Sequence, residues 1–250
     1  MRLMHASLLG AMLLAGAARA DGLADLKGAL QRLHASTPVK GVLKAETSRK
    51  VGEGSDVDEY AGSAAVTVED GAQGLRLQYG RDLLARMDAD QLAAAKNPNA
   101  KTPALYALKE LGPDDLRPMV SAAENLARHI ERATFKEEKS AEWQGKPARQ
   151  LTFTVPVKVL SDRERKYLKE FDGVFDVWIA QDGTPLASHL NWRGAGRAYV
   201  VVSFEVRQEV RSTYALSGDR LLTTRLESRF SNAGAGEKSE VKTVKTLQAG

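Results

Sequence analysis

FDVWIAQDGTPLASHLNW, residues 175–192, decides the fold class. Phe175, Val177 and Ile179 take alternate places on the way in, and Leu186, Ser188, Leu190 and Trp192 share one parity on the way out. A period of two belongs to a strand, whose side chains point by turns to opposite faces of a sheet. Between the two runs stands Gln181-Asp182-Gly183-Thr184. Asp-Gly accepts the positive φ of a type I′ turn, so the stretch predicts an antiparallel hairpin.

The same alternation spreads outward in both directions. Downstream, Gly194-Ala195-Gly196 reads as a hairpin turn into a long strand with Ala198, Val200, Val202, Phe204 and Val206 on one face. Ser217-Gly218-Asp219 turns the chain into Leu222, Thr224, Leu226, Ser228 and Phe230, and Gly234-Ala235-Gly236 turns it again before Val241 to Leu247. Upstream, Leu151, Phe153, Val155, Val157 and Val159 alternate through Pro156, which has no N–H for a ladder and so predicts an edge or a bulge. Ser161 and Glu164 then predict a brief charged helix to about Glu170. Near the start, Val42 to Thr47 is a further strand. Gly62, Ala64, Val66 and Val68 alternate up to a Glu69-Asp70-Gly71 turn, and Leu75, Leu77 and Tyr79 run back.

Two segments change period. Leu23, Leu26, Leu30 and Leu33 fall at helical spacing and predict an amphipathic helix ending before Pro38. Residues 82–132 read as helical: Thr102, Pro103 and Gly112 frame one helix, with Gly112 as a left-handed stop, and Ser121 with Glu124 forms a capping box for another. The expected fold is α+β: a strongly curved antiparallel sheet, an unclosed half-barrel, covered by the N-terminal helix and the helical insertion. A sheet with one apolar face has to cover it, and these helices are the available cover.

The first twenty residues carry the marks of a secretory signal: Arg2, an apolar middle around Leu8, Leu9, Leu13 and Leu14, and Ala18-Arg19-Ala20 as a small-x-small cleavage site. The run is short for a spanning helix, which needs about 20 apolar residues. Residues 21–250 are then expected to form a single periplasmic domain, with no membrane segment after cleavage. Arg2 and Arg19 leave with the signal, so 34 basic face 32 acidic residues in the mature chain, a balance that argues against a nucleic-acid footprint. The absence of cysteine excludes disulfides, thiolate metal sites and a thiol nucleophile.

Little in the sequence announces a reaction. His34, His129 and His189 have no ligand spacing and nothing resembles H-E-x-x-H, so neither a metal nor another cofactor is expected. No G-x-S-x-G elbow supports a serine triad. Gly52 to Glu59 is rich in carboxylates but lacks the ordered spacing of a calcium loop, and a solvated loop is the simpler reading. The aromatics sit at strand positions, where they serve either as core or as the lining of a cavity. Small residues such as Ala61, Gly62, Ala64 and Ala65 leave that face underfilled.

The order of elements resembles the LolA/LolB-like carriers of the bacterial envelope, and Val177 to Leu186 resembles their strand–turn–strand with a Trp followed by D-G-x-P. The resemblance implies an unclosed barrel with a helical lid over a cavity that receives lipid chains. Leu77, Tyr79, Phe153, Val155, Val177, Leu190, Trp192, Val202, Phe204 and Leu226 are the candidate ligand face. The expected function is a non-enzymatic carrier or binding protein for a lipid, lipoprotein or other apolar ligand. An envelope protein is a further possible partner. A non-catalytic interaction or scaffold domain with a filled core stands second, and a hydrolase third.

Overall fold

The structure is a computed structural model that describes residues 21–34, 37–54, 56–198, 202–234 and 236–250; the side chains of Arg163, Glu164, Ala198 and Val202 lie outside that description. The proposed signal peptide, residues 1–20, lies outside the described residues. Ten strands form one antiparallel sheet: β1 (Val39–Val51), β2 (Asp58–Gly71), β3 (Gly74–Tyr79), β4 (Thr134–Trp143), β5 (Lys146–Thr154), β6 (Leu168–Ile179), β7 (Pro185–Ala198), β8 (Val202–Ser217), β9 (Arg220–Gly234) and β10 (Glu237–Ala249). Their order is β3-β2-β1-β10-β9-β8-β7-β6-β5-β4, so the last strand pairs with the first and the sheet stays open between β3 and β4. This is the expected α+β half-barrel.

Among the described residues six α-helices accompany it: α1 (Gly22–Arg32), α2 (Arg81–Lys96), α3 (Pro103–Leu108), α4 (Pro113–Val120), α5 (Ala122–Arg132) and the single turn α6 (Asp162–Arg165). The Asp21 carboxylate caps α1, accepting from the N–H groups of Leu23 (3.1 Å) and Ala24 (3.3 Å). Leu26, Ala29 and Leu30 then face inward, one stripe of a 3.6-residue period. In α5 the same arithmetic buries Ala122, Ala123, Leu126 and Ile130.

The helices fill two adjoining cores on one face of the sheet. Under α2, α3 and α4 lie Leu43, Ala45, Val66 and Val68 of β1 and β2, with Leu222 and Leu247. Under α1 and α5 lie Leu151, Phe153, Phe175, Val177 and Ile179 of β5 and β6, with Leu221. Three buried charged side chains tie helices to sheet. Lys245 is buried on β10 and meets Asp115 (2.6 Å) and Glu110 (3.4 Å). Arg149 on β5 meets Asp25 of α1 (2.7 Å). Arg220, at the start of β9, joins the two cores.

Several local expectations are corrected. Gly112 is extended (φ −71°) and precedes α4 instead of stopping α3 in a left-handed turn. Thr102 and Ser121 make no side-chain caps; buried Asp90 of α2 accepts from the N–H groups of Ala104 (2.7 Å) and Leu105 (3.1 Å) instead. β5 ends at Thr154, where Pro156 would have broken the ladder, and the predicted charged helix shrinks to α6 because β6 already begins at Leu168. β2 continues through Gly71, and the turn falls at Ala72 and Gln73, ahead of Gly74 (φ +81°), which opens β3. The 180–184 hairpin forms, but only Gly183 has positive φ (+86°), so it is not type I′; Asp182 braces it by accepting from the Thr184 N–H (3.0 Å).

His129 of α5 packs its ring 5.6 Å from that of Phe175. His129 keeps an exposed edge, but partial desolvation by the surrounding protein, reinforced by Arg132 and Arg128, holds the imidazole below its ordinary pKa of 6.5. The unfolded chain therefore binds that proton first as the pH falls. Stability drops as the pH passes down through about 6.5, and this contribution levels off once the folded ring also protonates. His129→Gln is expected to flatten that loss only slightly, because the ring is exposed and water screens most of the effect. Urea midpoints across that range check it.

Candidate functional site

Cross-strand register places side chains of like parity in rows across the helix-bearing face. One row runs Val177, Ser188, Ser212, Leu226, Lys245, Ala45, Ala64 from β6 to β2. The next is Phe175, Leu190, Val210, Ser228, Thr243, Thr47, Gly62. Both lie at or under the helical layer: the carbonyl oxygen of Pro103, at the head of α3, sits 2.0 Å from where a Cβ on Gly62 would be. The strands run on past this roof. The third row holds Gly173, Trp192, Gln208, Phe230, Val241, Arg49 and Tyr60, and the fourth Phe171, Gly194, Val206, Asn232 and Ser239. Phe204 stands in the row beyond, between Gly196 and Gly234.

This outer part is an apolar strip belonging to neither packed core, Phe171 apart. Phe171, Trp192, Phe204, Val206, Phe230 and Val241 are all half-buried. The aromatics lie against glycines of neighbouring strands. Phe171 and Trp192 stand 5.7 Å apart with rings tilted 32°, beside Gly173. Phe204 reaches Gly196 on one side and Gly234 on the other. Glycine leaves room for a ring to lie over the backbone and lets a strand bend, which suits a curved sheet.

Gly194 and Gly196 are therefore not the hairpin turn read from the sequence; both sit inside β7. A Cβ on Gly196 would stand 2.0 Å from the Tyr167 carbonyl oxygen and 2.9 Å from Phe204 Cζ. Because a backbone atom makes the closer clash, Gly196→Ala is expected to cost about 1–3 kcal/mol. A shifted denaturation midpoint checks it.

The ten candidate residues divide by depth. Phe153, Val155 and Val177 are core, each under 10% exposed, with Leu190 packed against them. Leu77 and Leu226 pack against the other core. Tyr79 is exposed on the edge strand β3. Trp192 and Phe204 belong to the uncovered strip, and the side chain of Val202 lies outside the described residues. The strip also contains Phe171, Val206, Phe230 and Val241, which were not among the ten. The signal that finds them is parity carried to the strand ends, together with the glycines opposite them.

The other face of β7–β10 is charged. Glu205 with Arg207, Glu209 with Arg211, Glu227 with Arg225 and Glu240 with Lys242 form ion pairs along its strands, each 2.6–2.8 Å. A groove of about 370 Å³ near Trp143 and Trp178 opens on this face, bordered by His189, Arg211, Arg225 and Glu227. His189 Nε2 lies 3.0 Å from Glu209. Among the described residues no three His, Asp or Glu side chains gather as a metal site, and no helix is long and apolar enough to cross a membrane.

The free edges are managed differently. β3 pairs only with the Val66–Gly71 end of β2, leaving the rest of β2 without a strand neighbour on that side. There Arg86 donates to the Ser63 carbonyl (3.2 Å) and Lys101 Nζ to that of Glu59 (2.8 Å), so cations occupy acceptors that an incoming strand would need. β4 carries Lys136, Glu137, Glu138 and Lys139, a charged edge. The sheet edges are thus poor docking positions, and the uncovered strip is the surface left to account for. In comparisons with known proteins, no family model and no curated protein matches this chain.

Proposed function

We propose that the protein is a carrier or binding protein for an apolar ligand, a lipid or an acylated molecule, held on the uncovered concave strip of β6–β10. The observation that carries this reading is an apolar surface spread over five strands with no helix of the described residues over it, on a sheet whose opposite face carries rows of ion pairs over β8–β10. Soluble chains rarely leave such a surface without an occupant. Removing acyl groups from water supplies the binding energy, about 0.8 kcal/mol per buried CH₂. The helices do not line this site: Phe153, Val155 and Val177 are occupied by α1 and α5, so the ligand lies on the strip beyond them. Export through the N-terminal signal, with action in the periplasm, belongs to the same proposal.

Native mass spectrometry of the protein purified from its own envelope, followed by organic extraction, tests the reading. A stoichiometric lipid or acylated peptide is the expected result. A clean apo mass with no uptake of a fluorescent fatty acid would overturn it, and the strip would then belong to a protein interface.

A further inference from the structure

Charge on the roofed part of the inner face is matched in ion pairs. Lys245 meets Asp115 and Glu110, Arg149 meets Asp25, and Arg220 meets Asp70. Beyond that roof two carboxylates on the same face, Asp58 of β2 and Glu237 of β10, form no ion pair among the described residues, and the sheet cation that forms none there is Arg49. It stands in the third row, exposed, directly across from Val241 on β10 and from Tyr60 on β2. Its neighbour on the charged face, Lys50, takes Glu59 (3.3 Å) and so removes the nearest glutamate. Asp58, diagonal to Arg49 on β2, is exposed and forms no salt bridge with it. A second cation borders the same margin: Lys101 Nζ lies 5.7 Å from the centre of the Tyr60 ring.

From this we infer, resting on the carrier reading, that the ligand is an anionic amphiphile. Its acyl chain lies along the row Val241, Phe230, Trp192, and its anionic head, carboxylate or phosphate, is received by Arg49 with Lys101 alongside. From β1 to β7 the row crosses four strand spacings, about 19 Å, the reach of one long acyl chain. Within that span the polar members of rows three and four are Gln208, Asn232 and Ser239, all uncharged. Charge is therefore absent under the chain and present only at its end. A guanidinium is suited to this end, since its fork donates two parallel hydrogen bonds to a carboxylate or phosphate.

The test compares three ligands of one chain length, oleate, oleyl alcohol and oleylamine, displacing a neutral fluorescent acyl probe from the mature protein. The wild type is expected to bind oleate about tenfold more tightly than oleyl alcohol, and oleylamine more weakly than either. Arg49→Gln should bring oleate to the level of oleyl alcohol while leaving the alcohol unchanged, and Arg49→Glu should reverse the order of oleate and oleylamine. Monooleoyl phosphate, run in parallel, ranks the two anionic heads. Equal binding of all three ligands by the wild type, or a preference that survives Arg49→Gln, would overturn the inference and leave the carrier reading standing. Failure of every ligand to displace a bound probe, or of the probe to bind, would overturn both.

Discussion

Arg220→Ala is expected to destabilise the protein by about 3–5 kcal/mol, the cost of removing one partner from a buried charge pair. Arg220 is 2% exposed. Its Nε donates to the Val120 carbonyl (2.5 Å), the last residue of α4, where the helix dipole favours a cation. Its other nitrogens reach the Thr37 carbonyl (3.2 Å), the Ser121 hydroxyl (3.4 Å) and the Asp70 carboxylate. One side chain therefore fastens the α4–α5 junction, the approach to β1 and the end of β2 to the beginning of β9. Truncation strands the Asp70 carboxylate and the Val120 carbonyl together, and among the described residues Asp70 forms no ion pair with another cation. Arg220→Lys keeps the charge but cannot fork to several acceptors, so it should recover only part of the loss. Equilibrium urea unfolding measures both; a loss under 1 kcal/mol for Arg220→Ala would show that the junction holds without it.

Much of the fold was legible because sheets write their geometry into parity. A strand buried on one face must place apolar residues at every second position, and a one-residue slip would turn them all to solvent. That constraint identified the 175–192 hairpin, the long C-terminal strands and the face shared by Leu190, Trp192 and Leu226. Parity fails where a residue has two uses. Glycine at 194 and 196 signals a turn as readily as close approach, and the deciding fact, Phe204 and the Tyr167 carbonyl lying across it, is remote in sequence. Val157 and Val159 keep the strand pattern after Pro156, yet Val157–Val159 is a 3₁₀ turn. Helix caps were misread for a similar reason: α3 is capped by Asp90, remote from Thr102, and the Ser121 hydroxyl, which has the local chemistry of a cap, accepts from Arg220 instead of from its own helix.

Depth was the part of the site that parity could not reach. Val177 and Trp192 share a face, and nothing local to either says that α5 roofs the first and stops short of the second. Helix length and docking angle decide it. The unpaired state of Arg49 is equally invisible in sequence, since Glu46, Asp58 and Glu59 all stand within ten residues of it. Only register shows that Glu46 and Glu59 project to the charged face, where they meet Lys44 and Lys50.

That separation of depth from parity sets up the second large effect. Trp192→Asp combined with Phe204→Asp is expected to abolish uptake of an acyl probe while leaving the protein folded. Both side chains are half-buried and neither belongs to a packed core, so the new carboxylates can be hydrated by small rotations into the open strip. A bound chain, by contrast, would have to lie against two charges. Losing contact with about four methylenes alone costs ~3 kcal/mol, roughly a hundredfold in affinity, before any desolvation of the carboxylates is added. Val177→Asp provides the contrast: it places a charge at a fully buried position under the helices and should unfold the domain. If the double variant folds and still takes up the probe with unchanged affinity, the strip is not the binding face. If Val177→Asp folds normally, the roofed half is looser than its packing implies, and the ligand has room to reach beneath α1 and α5.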